Sequence, residues 1–496
     1  MANPSLKILL PLILGAALLA VSPAIATPTF NGCEIEGLGS DLICCDLNGD
    51  GLDDLVLLDD LNLSIYYQDA RQGFARQPQQ QFELDGRPSL VWPARLGRKA
   101  ESLLMMTSDG VTEFDFTNQS SPPARQEIIR QKTIVPEAMD ETNAMYFPLS
   151  AKTGGDWPLL LVPVPDGGLQ VWEHQDVWHL AQVITNAMVA SVTPSIQNPG
   201  YAQSFTLSLS IGDVNHDGRD DLMVDVANGN GTETYKLYLQ SSNGLFNLEP
   251  ALIYTNTDDW RTAVSWMDIN RDGRLDLIKS TTSDESSFVP GLPSGKVLVA
   301  IYMADPDGRI PDAPTQFFRK YDWSGNLPMV DVDGDGFMDL VLGDIPIDSR
   351  EGARNMVTAK KFNLRLRFHF FRPGAGFSND ADYERTAPIF FGSQLGWSPG
   401  DRLYSDQLIS LNGDFNGDGK KDLLVRDDKD YISVYFFNSR ESGFSTRPDL
   451  EFPCPEETEW WQIRDLNGDG ISDLIVKVKA QDPGLDSFRI FISQGK

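Results

Sequence analysis

Six segments of this chain share one gapless layout, and that recurrence limits its possible folds more than any other feature. They read DLNGDGLDDLVLL from Asp46, DVNHDGRDDLMVD from Asp213, DINRDGRLDLIKS from Asp268, DVDGDGFMDLVLG from Asp331, DFNGDGKKDLLVR from Asp414 and DLNGDGISDLIVK from Asp465. The shared pattern is Dx[ND]xDGxxDL. A single copy is a common surface turn, but six with one internal layout mark a repeat architecture. The starts are separated by 167, 55, 63, 83 and 51 residues, and the first gap is about three repeats long. Two degenerate copies are therefore expected inside it. They are found around Arg95 (VWPARLGRKAESLLMMTSDGVTEFDF) and Leu149 (MYFPLSAKTGGDWPLLLVPVPDGGLQVW), each with strands and turns in the same order but without the acidic residues. The count reaches eight.

Within a repeat the pattern is β throughout. In the first copy, strands are expected at Leu42 to Cys45, Leu55 to Leu58 and Leu63 to Tyr67, with a fourth after Gly73-Phe74. The Gly-Phe pair returns at Gly376-Phe377 and Gly443-Phe444, and loosely at Gly244-Leu245-Phe246. No long stretch of 3.6-residue periodicity follows the N-terminal region. Four short strands in each unit of about 50 to 60 residues is the arithmetic of propeller blades. The expectation is an all-β propeller of seven or eight four-stranded blades over residues 27–496, six of them with an acidic loop between the first and second strands. The last repeat has only 31 residues after Asp465, enough for three strands ending near Phe488 to Ser493. Residues Thr27 to Glu36 are placed to supply the fourth and so remove an open sheet edge.

The loop chemistry points to a hard cation. Oxygens at positions 1, 3, 5 and 9 and the carbonyl at position 7 converge when the backbone curls, and glycine at position 6 permits the sharp turn. The candidate ligands are Asp46, Asn48, Asp50 and Asp54; Asp213, Asn215, Asp217 and Asp221; Asp268, Asn270, Asp272 and Asp276; Asp331, Asp333, Asp335 and Asp339; Asp414, Asn416, Asp418 and Asp422; and Asp465, Asn467, Asp469 and Asp473. Calcium takes six to eight such oxygens in a flexible cage, whereas magnesium suits it less. An EF-hand would need Glu at position 12, where these loops have Leu57, Val224, Lys279, Leu342, Val425 and Val476. Metal-free turns would explain one loop but leave three or four carboxylates repelling each other in every copy. About six calcium ions are expected, taking the formal charge from −30 to −18.

These loops resemble the FG-GAP or VCBS-type repeats of integrin α-subunit propellers and of many exported bacterial proteins. The resemblance covers nearly all of the chain after residue 26. It implies a propeller with calcium bound in the loop joining the first two strands of a blade. It says little about function, because the same fold serves adhesion, glycan binding and some polysaccharide lyases. Two repeats without the loop, and eight repeats where integrins have seven, depart from that pattern.

The N-terminus has Lys7, an apolar run from Ile8 to Val21 broken by Pro11 and Gly15, and Ala24-Ile25-Ala26 before Thr27. About 14 apolar residues fall short of the roughly 20 that span a bilayer. Residues 1–26 therefore read as a cleaved signal peptide, leaving no transmembrane segment in a secreted or periplasmic product. With 71 acidic against 41 basic residues, a nucleic-acid partner is not expected. Cys33, Cys44, Cys45 and Cys454 allow three pairings, and the sequence selects none.

Two function classes remain: a binding or adhesion module for a glycan or extracellular protein, with calcium structural, or an exported polysaccharide-cleaving enzyme on the same scaffold. No GxSxG, HExxH or phosphate-binding loop is present, and the histidines are His174, His179, His216 and His369. His174 and His179, with Trp172 and Trp178, read as a packed edge strand, and His216 at loop position 4 as pointing away from the metal. A partner is expected on the face opposite the acidic loops. Two long turns fall there, Ser280 to Pro293 and Ile345 to Lys361, the second carrying Arg350, Arg354, Lys360 and Lys361. Leu364, Leu366, Phe368 and Phe370 alternate with Arg365, Arg367 and His369, the pattern of a half-buried strand.

Overall fold

A computed structural model describes residues 28–495 except 38, 40, 85–86, 120–121, 140–143, 186, 188–189, 196–197, 199, 229–230, 259–261, 283–296, 322–328, 345–359, 391–407, 456 and 480–485. The predicted signal peptide, most of the 280–293 turn, and Arg350 and Arg354 lie outside the described residues. The described residues form strands, turns and bends and no helix, so none contains a helix long and apolar enough to cross a membrane.

Eight four-stranded antiparallel blades follow in chain order around a ring: blade 1 (41–83), blade 2 (89–130), blade 3 (150–184), blade 4 (209–256), blade 5 (262–321), blade 6 (329–390), blade 7 (409–453) and blade 8 (458–493 with 30–37). Blade 8 closes as expected. Phe30–Gly37 pairs antiparallel with Asp486–Ser493, Phe30 opposite Ser493 and Gly37 opposite Asp486, so the two ends of the ring share one sheet. Blade 2 gains a fifth strand, Ala144–Tyr146, parallel to Ser89–Ala94. A separate hairpin, Ala190–Pro194 with Ala202–Leu207, precedes blade 4.

The burial patterns explain why these segments form strands. Each second strand lies between two neighbouring blades, so both its faces are covered; Leu55, Val56, Leu57 and Leu58 are all fully buried. Such strands read as continuous apolar runs. The third strand of blade 6, Lys361–His369, alternates instead: Phe362, Leu364, Leu366 and Phe368 face inward, and Asn363, Arg365 and Arg367 are more exposed. Its identification as a half-buried strand holds.

The core is a closed series of seams between blades. Separate apolar clusters join blades 1 and 2, blades 2 to 4, 4 and 5, 5 and 6, 6 and 7, 7 and 8, and finally 8 and 1. Each fully buried Leu, Ile, Val or Phe contributes about 1.5–3 kcal/mol, so the seams dominate the stability of the ring. Among the described residues, the cluster between blades 4 and 5 has few buried members, Met223, Tyr235, Leu237 and Leu275, with partly buried residues such as Tyr254 and Trp266 packed against them.

The Gly-Phe pair noted in the sequence is a seam device. In blades 1 and 7 it pairs with residues just after the third strand, Gln68–Asp69 with Gly73–Phe74 and Phe437–Ser439 with Gly443–Phe444. The hairpin leans on the fourth strand of the preceding blade. A Cβ on Gly73 would meet the Cys33 sulfur, one on Gly376 would strike Gln316, and one on Gly443 would land in the Tyr383 ring. These glycines also hold φ of +71°, +73° and +63°. Only glycine meets both demands.

Candidate metal centres

All six acidic loops fall between the first and second strands of their blades: 1, 4, 5, 6, 7 and 8. Their curl is held by one repeated set of bonds. In blade 1 the position-1 carboxylate, Asp46, accepts the amides of Gly49, Asp50 and Gly51 at 2.7, 3.1 and 2.9 Å. Asn48 Oδ1 accepts Asp50 N–H at 2.8 Å, and Asp50 Oδ1 accepts Leu52 N–H at 2.9 Å. The same pattern holds in blade 7, where Asp414 accepts Gly417, Asp418 and Gly419, Asn416 accepts Asp418, and Asp418 accepts Lys420. Position 6 is left-handed in every loop, as the sequence implied. Position 4 is left-handed too: four loops place glycine there, and the other two place His216 (φ 59°) and Arg271 (φ 55°).

Position 9 has a role that the pattern does not reveal. Each of these aspartates is essentially without solvent exposure and accepts two backbone amides, one from loop position 2 and one from the end of the third strand or just past it. Asp54 takes Leu47 and Gln68; Asp221 takes Val214 and Gln240; Asp276 takes Ile269 and Ala304. Asp339 takes Val332 and Phe371; Asp422 takes Phe415 and Phe437; Asp473 takes Leu466 and Ser493. Position 9 thus welds loop, second strand and third strand together. Burial raises these carboxyls, Asp221 and Asp276 to about 6, Asp54, Asp339 and Asp473 to about 7, and Asp422 to about 8.

The structure gathers the position 1, 3 and 5 side chains of each loop into one hydrogen-bonded turn. In blade 6, where all three are aspartates, Asp331, Asp333 and Asp335 each place a carboxylate oxygen within 4.8 Å of the others. Asp339 stands outside that group. The donors are oxygens throughout, which suits calcium; the side chains at positions 1, 3, 5 and 9 are the ones that would hold it, position 9 also anchoring the loop to the strands beneath.

The loops also bond to one another around the ring. The amide at position 8 donates to the preceding blade: Asp53 to Leu466 O, Met338 to Ile269 O, Lys421 to Val332 O and Ser472 to Asp414 O. Glu101 in blade 2 donates likewise to Asp46 O, and Asp220 in blade 4 to Lys152 O. Blade 3 has Pro158 at this place and no N–H to give; Gly97 of blade 2 instead donates to Asp156 O. His216 does not simply point away: its Nε2 lies 3.4 Å from Asp268 Oδ2, the position-1 carboxylate of the next loop.

Residues 213–278 and 414–476 match the FG-GAP-like repeat family. Those two spans carry FG-GAP-like repeats. The matched spans run from the loop of blade 4 into blade 5 and from the loop of blade 7 into blade 8. No curated protein matches the chain. Among solved structures, a chain of the Photorhabdus luminescens Tc holotoxin pore is 14% identical with a TM-score of 0.31, covering 91% of this chain and 19% of its own length. This protein thus spans about a fifth of that one. A lectin of Agrocybe aegerita that recognises non-reducing terminal N-acetylglucosamine is 12% identical with a TM-score of 0.32, covering 86% of this chain and 80% of its own. Neither likeness is close enough to carry an argument.

Opposite the acidic loops, blade 2 carries a cleft of about 710 Å³ beside its 107–110 turn. Arg87, Arg125, Arg130 and Lys132 line it against Asp109 and Glu127. Arg87 and Lys132 reach Asp109 at 2.7 and 3.0 Å, and together hold its carboxyl below the usual range. These residues were not singled out in the sequence, where the charges are scattered over 46 positions. Of the basic cluster that was, Lys361 bonds Asp427 O and Asp428 in blade 7. The other three histidines are engaged in packing or pairing. His174 stacks on Trp157 at 3.6 Å, His179 meets Glu173 at 2.9 Å, and buried His369 shares a hydrogen bond with Ser378 O. The four cysteines are unpaired, and burial pushes the Cys44 thiol up to about 12.

Proposed function

We propose that this is an exported propeller whose FG-GAP-like loops bind calcium for structure and whose opposite face binds a glycan or an extracellular protein through anionic groups. The observation that carries the binding role is the cleft on blade 2: four cations against two carboxylates, in a chain with a formal charge of −30. A local positive field in an acidic protein selects anionic partners and repels the chain's own kind. The calcium role is supported by the oxygen-only donor set repeated six times and by the left-handed turns that aim it.

The test is a screen of anionic glycans and acidic extracellular proteins against the calcium-loaded protein, followed by titration of any hit at two salt concentrations. Replacing Arg87, Arg125, Arg130 and Lys132 together by Ser should weaken binding at least tenfold and flatten its salt dependence. Equal affinity for the variant and the parent would remove the cleft from the site. Turnover of a polysaccharide in the same screen would instead favour the enzyme reading.

A further inference from the structure

In the loop of blade 6, two of the carboxylates are held by one side chain of the next blade. The hairpin Phe437–Ser439 with Gly443–Phe444 of blade 7 leans across, fixed by Gly443 against Tyr383. From its tip Arg440 donates Nε–H to Asp333 Oδ2 and Nη2–H to Asp335 Oδ2. The guanidinium also lies 5.3 Å over the ring of Phe370, just past the third strand of blade 6. Two of the side chains at positions 1, 3 and 5 therefore already share one bidentate cation, the strongest kind of charge-assisted pair.

Blade 1 offers the contrast. Its hairpin, Gln68–Asp69 with Gly73–Phe74, leans over the loop of blade 8 in the same way. Aligning Gly73-Phe74 on Gly443-Phe444 puts Ala70 where Arg440 stands. Between that hairpin and that loop lies a cleft of about 280 Å³ lined by Asp69, Asn467 and Asp469 among others. The short Ala70 side chain leaves room there, Asp69 accepts the amides of Arg71 and Gln72 in its own turn, and Arg71, though it lines the same cleft, makes no ion pair with Asp469 comparable to that of Arg440.

We infer that Arg440 is the resident cation of the blade 6 loop, so that this loop, which has the most carboxylates at positions 1, 3, 5 and 9, is the one that does not retain calcium. The inference rests on the calcium reading of the other five. Calcium needs six to eight oxygens, and with Asp333 and Asp335 held by Arg440 only Asp331 remains unengaged by it in the group. An ion entering here must first break a pair that the fold of two blades holds in place.

Counting bound calcium by native mass spectrometry on the full protein tests this. The parent should carry five ions and Arg440→Ala six, with Arg440→Gln, which keeps the bulk of the side chain, also giving six should the alanine variant unfold. Six ions in the parent would overturn the inference and leave the calcium reading standing. Five in the parent and five in both folded variants would overturn it as well, because something other than Arg440 would then be closing the site. Two or fewer in every protein would overturn the calcium reading and the inference with it.

Discussion

Blades 2 and 3 make the same first-to-second-strand turn as the other six without any acidic loop, and the chemistry that replaces it shows what the loops are for. In blade 2 Ser102 stands where the others have the position-9 aspartate, buried and bonded to Glu113 at 2.9 Å. Arg98 supplies the counter-charge from within the turn, pairing with Glu113 and Asp115. In blade 3 Leu159 takes that place, and Trp157 stacks on His174 and meets Trp178 edge-on. Both turns are complete in themselves, by an ion pair in one and by aromatic packing in the other. The six acidic turns place 19 carboxylates at positions 1, 3, 5 and 9, and their complement among the described residues is only partial: the borrowed Arg440 in blade 6 and the position-7 Arg219, Arg274 and Lys420 beside their own position-5 aspartates.

The largest expected effect follows directly. Chelating calcium should lower the melting temperature by many degrees, since each site at a hundredfold excess over Kd contributes about 2.7 kcal/mol. Hydrogen exchange should locate the loss, with loop amides of blades 1, 4, 5, 7 and 8 losing protection while those of blades 2 and 3 keep it. A melting temperature unmoved by chelation, or uniform loss across all eight blades, would break the contrast.

The pH response of the chelated protein should follow the position-9 aspartates. Burial raises their carboxyls to between about 6 and about 8, above the value of 3.8 for an unhindered aspartate. Between those values the folded state keeps protons that the unfolded chain has released. Stability present at pH 4 is therefore lost as pH climbs toward 8. Calcium takes the place of the protons, so thermal melts in excess calcium should show a flatter or reversed trend. The same slope with and without calcium would mean that no ion reaches these loops.

A comparison of position 9 with its stand-in ranks next. Asp422→Ala strands the buried amides of Phe415 and Phe437, each costing about 1–3 kcal/mol, or about 2–6 together, and much of that cost should persist under chelation. Ser102→Ala in blade 2 removes one hydroxyl and leaves Arg98 to satisfy Glu113, so about 1 kcal/mol is expected. Denaturant melts of both variants should preserve that order.

The sequence made the loops, their number, the eight repeats and the closing strand legible because each of these is encoded locally, while the choice between seven and eight blades came from the structure. A fixed offset between Asp46 and Asp54 states its own geometry, and the Phe30 segment pairs because the last repeat runs out of strands. Partners from elsewhere in the ring were not legible. The second amide on Asp339 arrives from Phe371, 32 residues on, and the cation on Asp333 from Arg440, 107 residues on. Nothing in the acidic pattern specifies either. The position-8 bonds were hidden for a different reason: backbone amides make them, so Asp53, Lys421 and Ser472 serve equally well. Only the proline in blade 3 leaves a trace of that contact in the residue types.

The last comparison tests whether the seam between blades 2 and 3 is independent of metal. Gly97 has φ +64° and donates to Asp156 O, and a Cβ there would fall inside the Trp157 ring. That ring has little freedom to withdraw, held by His174 on one side and Trp178 at its edge. Gly97→Ala should therefore cost about 1–3 kcal/mol from overpacking and the left-handed backbone together. Gly154 is the control, lying in the neighbouring turn of blade 3 with nothing within 4 Å of a Cβ. Gly154→Ala should leave the melting temperature within a degree or two. Because neither turn carries a metal loop, the loss from Gly97→Ala should be equal in calcium and in chelator, with a shift in tryptophan emission as Trp157 moves. A loss that appears only in calcium would tie this seam to the loops and dissolve the distinction between the two groups of blades.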